Sequence, residues 1–459
     1  MLIMLCAVVL LSACESNSQD ANVAVGDGLG DGDGNIDPTL YTGDVELQTE
    51  KLEIWWDESF GAPYKEFMGE HLEQAFGKDR FEVLNFRRPY SITNSYEGDL
   101  FYELRERPTP DLIVFDSRLL PFFVESNYLE PIDIESFLEL KSDVLDEIRE
   151  VVPDRQLYAL PYGENVAALY YNKSIFDGLD VPYPTDGMTW DEVLELAAEV
   201  KSPGSWVSLD VEVDYGLIAS QIALHLYDQE KQLVDLETEA WKEWIRFTEK
   251  YLDHRKGEVM SRGMSAFSAG KTAMIVGSQF EEFIDGLYVK EQQFRIFEVE
   301  WDVVSFPVFD REDPVAPAKQ RLMIGVPRMA AHKEDAYKLI QFLLSEAVQF
   351  ENLRRGLISL RADADDRMDE FGVSSPLWVG KSRSFLKLTT PAGSYDPSLD
   401  KYNVGHLRSG GYSPNDATDW RTEWDPDVIR EYVTDYLNKR TAMITELQEK
   451  VSEYERFNQ

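Results

Sequence analysis

From Leu52 onward, apolar residues fall into short runs separated by stripes at helical spacing. Leu52-Glu53-Ile54-Trp55-Trp56 predicts a strand. Tyr64, Phe67, Met68, Leu72 and Phe76 repeat at helical spacing and predict an amphipathic helix over Pro63–Phe76. Phe81–Phe86 reads as a second strand and Asp99–Glu106 as a helix. Pro110-Asp111 breaks into a third strand, Leu112-Ile113-Val114-Phe115. Strand, helix, strand, helix, strand predicts a parallel sheet with crossover helices.

The densest signals lie in Leu157–Val200. Ala167-Ala168-Leu169-Tyr170-Tyr171 is an apolar and aromatic strand that Asn172-Lys173 ends. Pro182 and Pro184 rule out a helix before Thr189. Thr189-Trp190-Asp191-Glu192 reads as a capping box, in which Thr189 and Glu192 satisfy each other's backbone N–H groups. Val193, Leu194, Leu196, Ala197 and Val200 then continue at helical spacing. Further on, Trp241–Leu252 predicts an aromatic amphipathic helix, Thr272–Val276 a buried strand, Trp301–Pro307 a strand ending in proline, and Glu334–Leu344 a helix. The stripe Ile444, Leu447, Val451 and Tyr454 in the last segment predicts a helix packed on the second half of the molecule.

Several of these phrases resemble the extracellular solute-binding proteins of ABC importers, group 1, the family that carries sugars. They are Tyr158, Leu160 and Pro161; Leu169-Tyr170-Tyr171-Asn172-Lys173 with Phe176; Pro184; and Thr189-Trp190-Asp191-Glu192-Val193. Pro110-Asp111-Leu112-Ile113, Leu129–Asp133 and Phe267–Gly277 add to the likeness. The resemblance implies an α/β, two-lobed periplasmic-binding-protein-like fold (type II), each lobe a sheet flanked by helices, with the ligand cleft between lobes. Lobe 1 is expected at 50–161 plus 306–358 and lobe 2 at 162–302 plus 361–459. It also implies a protein that performs no chemistry, captures a carbohydrate, works as a monomer and hands its solute to ABC permease subunits. A peptide or other solute on the same fold, a ligand sensor for a membrane kinase and a surface glycoside-processing enzyme remain alternatives.

A net charge of −40 bears on partners. Phosphate backbones and anionic headgroups call for basic surfaces, so nucleic acid is excluded and lipid docking disfavoured. Residues 2–13 form an apolar run too short to cross a bilayer but of signal-peptide length, so 1–13 is expected to be a signal peptide. Leu11-Ser12-Ala13-Cys14 resembles a lipobox, which predicts lipidation at Cys14 and a chain held at the outer face of the cell membrane. Residues 14–49, poor in apolar side chains, then read as a disordered tether. Within it Asp31–Asp37 is like half an EF-hand loop, but Leu29 and Leu40 stand where acidic ligands belong, and no metal is assigned. Gly270-Lys271-Thr272 lacks the first glycine of a phosphate-binding loop, with Ser265 in its place. The five histidines are scattered without metal spacing, and no nucleophile elbow occurs. No cofactor or catalytic residue is assigned.

Binding chemistry is better supplied. Sugars present apolar C–H faces and a rim of hydroxyls, which flat aromatic rings and paired carboxylates or amides recognise. The chain carries 10 Trp and 22 Tyr. Ligands of open α/β sheets bind at strand ends, which makes Trp56, Asp57 and Asp116 candidate ligand-binding residues; Tyr162 and Glu164, where the chain is expected to cross between lobes, and Trp206, Tyr215, Gln279, Phe280 and Trp301, which flank predicted strand or loop edges, complete the set. Where the family carries Trp after Gly-Pro, this chain reads Gly277-Ser278-Gln279-Phe280.

Overall fold

The computed structural model describes residues 45–57, 65–86, 96–133, 139–202, 204–213, 215–225, 235, 237–258, 263–278, 299–373, 381 and 426–458. Nine strands are found among them: β1 Leu52–Asp57, β2 Phe81–Phe86, β3 Leu112–Asp116, β4 Ala159–Asn165, β5 Ala167–Asn172, β6 Val207–Val211, β7 Thr272–Ser278, β8 Trp301–Ser305 and β9 Gln320–Gly325. They form two sheets, ordered β2-β1-β3-β9-β4 and β6-β7-β5-β8. β1 is parallel to β2 and β3, as the alternation of strands and helices predicts. β9 departs from that expectation by inserting antiparallel between β3 and β4. In the second sheet β6 and β7 are parallel, and β5 runs antiparallel to β7 and β8.

One residue, Val166, separates β4 of the first sheet from β5 of the second. The chain returns between β8 and β9, through residues 306–319. The sequence reading put the first crossing at 161/162. The pairing of Glu164 with Arg321 and of Asn165 with Gln320 moves it to Val166.

Helices flank both sheets. The first-sheet set is α1 Glu70–Phe76, which a π-helical turn over Lys65–Gly69 precedes, α2 Tyr96–Glu106, α3 Leu120–Glu125 and α4 Ser142–Glu150. Around the second sheet lie α5 Lys173–Leu179, α6 Trp190–Glu199, α7 Tyr215–Ser220, α8 Glu239–Arg255 and α9 Met264–Ser268. α10 Lys333–Leu343, α11 Glu346–Arg355 and α12 Pro426–Asn458 follow. The capping box is present: the Glu192 N–H donates to Thr189 Oγ1 at 3.2 Å and the Thr189 N–H to Glu192 Oε2 at 2.8 Å. Asn172 ends β5 because its Oδ1 accepts from the Ser174 N–H at 3.1 Å, so the same residue caps α5.

The residues of β5 alternate between two cores, as period-two geometry requires. Leu169 and Tyr171 join Trp190, Trp241, Trp244 and Phe247 on one face of the second sheet. Ala168 and Tyr170 join Trp301, Val303, Phe350 and Leu353 on the other. The first sheet has its own core, in which both Trp55 and Trp56 are buried because helices cover each face.

Two boundaries differ from the sequence reading. The folded part begins by Val45, not near residue 50. Leu47 is buried in the first core, and the Thr49 N–H donates to Asp335 Oδ2 at 2.7 Å. The predicted stripe of α12 packs on the first lobe and not the second: Ile444, Leu447 and Val451 enter the first core, and Lys450 Nζ donates to the Leu104 carbonyl at 2.6 Å, while Leu437, earlier in the helix, packs against the second core. An apolar stripe records that a helix face is covered and is silent about what covers it.

Candidate functional site

The register of each sheet points one end of its strands toward the crossing. In the first sheet Asn165, Gln320, Arg321, Leu322 and Asp116 are neighbours in register, so the carboxyl ends of β1 and β3 share an edge with the crossing. In the second, Ala167 pairs with Ser278, and Val211 with Val276, so the carboxyl ends of β6 and β7 lie there too. The carboxyl edges of both sheets thus meet at the crossing, where open α/β sheets take their ligands.

The first-sheet edge is charged and highly ordered. Asp116 is fully buried and its carboxylate grips Arg118 at two points, Nε to Oδ1 at 3.0 Å and Nη2 to Oδ2 at 2.8 Å. Only 7% of the Arg118 side chain is exposed. Asp57 is also fully buried, and its Oδ2 accepts the Asp116 N–H at 3.3 Å. Next to them Arg321, a buried arginine in an otherwise apolar strand, donates from Nε to Glu164 Oε2 at 3.1 Å and from Nη2 to Glu147. Its N–H donates to Ser117 Oγ at 3.2 Å. Such pairing is required, because a charge taken out of water without a partner costs several kcal/mol, on the order of 3–5 when one member is removed. The arrangement gives fixed carboxylate acceptors and cations already engaged by carboxylates.

Asn165 stands at the crossing itself. It is 7% exposed, and its Nδ2 donates to Gln320 Oε1 at 3.3 Å. Its Oδ1 is buried and has no hydrogen-bond partner among the described residues. A buried acceptor left so costs about 1–3 kcal/mol, which a bound hydroxyl or ordered water relieves.

Of the candidate residues, Asp57, Asp116 and Glu164 are brought together at this edge. Trp56 is not part of it, being buried in the first core. Tyr162, expected in the cleft, is buried in the first lobe: its hydroxyl accepts from Asn352 Nδ2 at 2.7 Å and donates to the Phe67 carbonyl. Asn352 Oδ1 in turn lies 2.9 Å from His71 Nε2, and burial pushes the His71 pKa down to about 4 from 6.5. Trp206 and Trp301 lie at the opposite end of the second sheet, since Val207 pairs with Thr272 and Asn172 with Trp301. Trp206 is half-buried, donates from Nε1 to the Val200 carbonyl at 2.9 Å, and lines a surface depression of about 360 Å³ with Asn172, Ile175 and Gly270. Trp301 is buried against Tyr170, ring centres 5.8 Å apart. Tyr215 begins α7, but its side chain, together with Gln279, Phe280 and Cys14, lies outside the described residues. Sequence reasoning missed Arg118 and Arg321. An arginine inside the run Gln320-Arg321-Leu322-Met323-Ile324 is the signal that could have found the second.

A model of the family described as bacterial extracellular solute-binding protein matches residues 93–375. A protein of Brucella abortus strain 2308, described as a binding protein, is 29% identical over 118 residues, 26% of this chain and 27% of that protein. The chain's match thus spans about a quarter of the length of such curated relatives. Among solved structures, an ABC transporter solute-binding protein from Thermotoga lettingae bound with alpha-D-tagatose aligns with a TM-score of 0.58 at 17% identity, over 83% of this chain and 100% of that one. A protein called CpMnBP1, with mannobiose bound, aligns at 0.61 and 13% identity, over 83% and 98%. UgpB from Mycobacterium tuberculosis, in complex with glycerophosphocholine, aligns at 0.60 and 15% identity, over 89% and 99%. At such identities the likeness is one of fold: two lobes, each a sheet flanked by helices.

Proposed function

The chain belongs to the bacterial extracellular solute-binding protein family, and from that premise we propose that it captures a carbohydrate between its two lobes and delivers it to the permease of an ABC importer. The observation that carries this reading is the meeting of the carboxyl edges of both sheets at the crossing, with the part-exposed Glu164 and the buried Asp57 and Asp116 on the first-sheet edge. The Glu164 carboxylate, held by Arg321 and with 17% of its side chain exposed, presents lone pairs in a fixed direction, which suits a hydroxyl donor. Arg118 and Arg321 are each engaged by carboxylates, which favours a neutral polyhydroxylated solute over a phosphodiester or a sugar acid. Two strand connections at the crossing suit hinge closure over the bound solute. The chain acts as a monomer and performs no chemistry; Cys14 carries the lipid that holds it at the outer face of the membrane, and the permease is a separate partner.

Thermal shift of the purified protein with mannobiose, D-tagatose, D-mannitol, glycerophosphocholine and a tripeptide tests the reading, with chromatography of the mixtures. A solute at a hundred times its Kd stabilises the folded state by about 2.7 kcal/mol. A rise in Tm with a carbohydrate and its recovery unchanged is the expected result. A rise with the peptide or phosphodiester alone, or release of smaller sugars, overturns it.

A further inference from the structure

The end of the second sheet away from the crossing carries the open depression of about 360 Å³ beside Trp206, and none of the residues that line it is charged. Trp206, Ile175 and Leu179 make its apolar part. The Trp206 ring packs partly on the second core and its Nε1 donates to the Val200 carbonyl at 2.9 Å, so the ring is held in one orientation with part of its surface left in the depression. Asn172 and the exposed Ser174 make the polar part. Asn172 is 1% exposed, and its Oδ1 is engaged by the Ser174 N–H at 3.1 Å. That contact fixes the amide, whose Nδ2 makes no hydrogen bond among the described residues. A buried amide nitrogen short of an acceptor is costly, and an acceptor brought by a ligand relieves the cost. Gly178 leaves the room: a Cβ there would meet nothing within 4 Å.

We infer that this depression is a second binding site, separate from the cleft, for one neutral pyranose ring. The apolar C–H face of such a ring suits the Trp206 indole, and its hydroxyl oxygens accept from Asn172 Nδ2 while Ser174 donates or accepts beside it. The volume lies near the lower end of the range of about 300–1,000 Å³ usual for ligand sites, which admits a single ring and not a chain of them. An uncharged lining offers nothing to pair with a phosphate or a carboxylate. The site lies at the far pole of the second lobe, so it stands or falls independently of what the cleft takes.

The test follows the indole N–H signals of the full chain labelled with 15N-tryptophan, the Trp206 signal being the one missing from Trp206→Phe. Methyl glycosides of glucose, mannose, galactose and xylose, sodium phosphate and a tripeptide are titrated to millimolar concentrations. The expected result is a saturable shift of the Trp206 signal with a pyranoside and none with phosphate or peptide. Gly178→Gln fills the depression from a helical position where the new Cβ meets open space, so it keeps at least the parent Tm and abolishes the shift. Asn172→Asp keeps an oxygen for the Ser174 N–H, removes the amide donor and weakens the response. A Trp206 signal that no pyranoside moves, or that moves equally in Gly178→Gln and Asn172→Asp, overturns the site. A shift with phosphate or peptide alone overturns the class of ligand. Neither outcome touches the reading of the cleft, which the thermal-shift result decides.

Discussion

Asn352 Nδ2 donates to the Tyr162 hydroxyl at 2.7 Å, joining α11 to β4 inside the first lobe. The same hydroxyl donates to the Phe67 carbonyl, and the other end of the Asn352 amide meets His71. Tyr162 is therefore a member of a buried hydrogen-bond chain, although its place in the sequence, next to the crossing strand, suggests a cleft residue.

Tyr162→Phe leaves the Asn352 amide and the Phe67 carbonyl each short of a partner. The expected cost is about 1–3 kcal/mol of folding stability, with carbohydrate affinity unchanged. Urea unfolding and calorimetric titration of the same preparation check both halves. A loss of affinity at parent stability would return Tyr162 to the cleft.

Burial and neighbouring Arg355 lower the His71 pKa to about 4, although its contact with Asn352 works the other way. Between pH 6.5 and 4 the unfolded chain takes up a proton at this position and the folded chain does not. Stability therefore rises with pH across that window and falls as the pH drops through it, by roughly 3 kcal/mol in full. His71→Gln retains a donor for Asn352 Oδ1 and cannot titrate, so its urea midpoint at pH 7 and at pH 4.5 should differ by less than the parent's. Equal differences would contradict the assignment.

Asp116→Ala removes a carboxylate partner, held at two points, from a guanidinium with 7% of its side chain exposed. Destabilisation of up to about 3–5 kcal/mol follows from weakening the pairing of that buried charge. Asp116→Ala combined with Arg118→Met removes both charges and should recover much of the stability without recovering solute binding. Denaturant midpoints and calorimetric titration of the two variants read this directly. Recovery of binding in the double variant would remove Asp116 from the site.

Trp301→Ala opens a cavity against Tyr170, Phe350 and Leu353. A loss of about 3–5 kcal/mol in stability is expected. Affinity for a bound carbohydrate, measured by calorimetry below the lowered Tm, should stay within twofold of the parent. A tenfold loss of affinity would mean that the far end of the second sheet takes part in binding after all.

Local chemistry settled much of the fold before any tertiary contact was known. The Thr189–Glu192 capping box and the Asn172 strand end are legible because their partners lie within a few residues. Alternating strand and helix signals in 52–116 specify the parallel part of the first sheet, because crossover geometry leaves few other solutions. Asp57, Asp116 and Glu164 could be nominated because strand ends are where such sheets bind. Family phrases such as Leu169–Lys173 and Thr189–Val193 named the class of protein. What the sequence left open is decided by pairings over long separations. β9 inserts antiparallel beside β3 and β4, which brings Arg321 to Glu164 across 157 residues and makes a charged edge of what reads as an apolar strand. Strand register sends Trp206 and Trp301 to the far end of the second sheet, since reversing a strand reverses which end faces the crossing while leaving its local pattern unchanged. The stripe Ile444, Leu447 and Val451 requires an apolar partner, and only the packed chain supplies the first lobe as that partner. Periodicity records which side chains leave water; the long-range pairing of strands decides which of them meet.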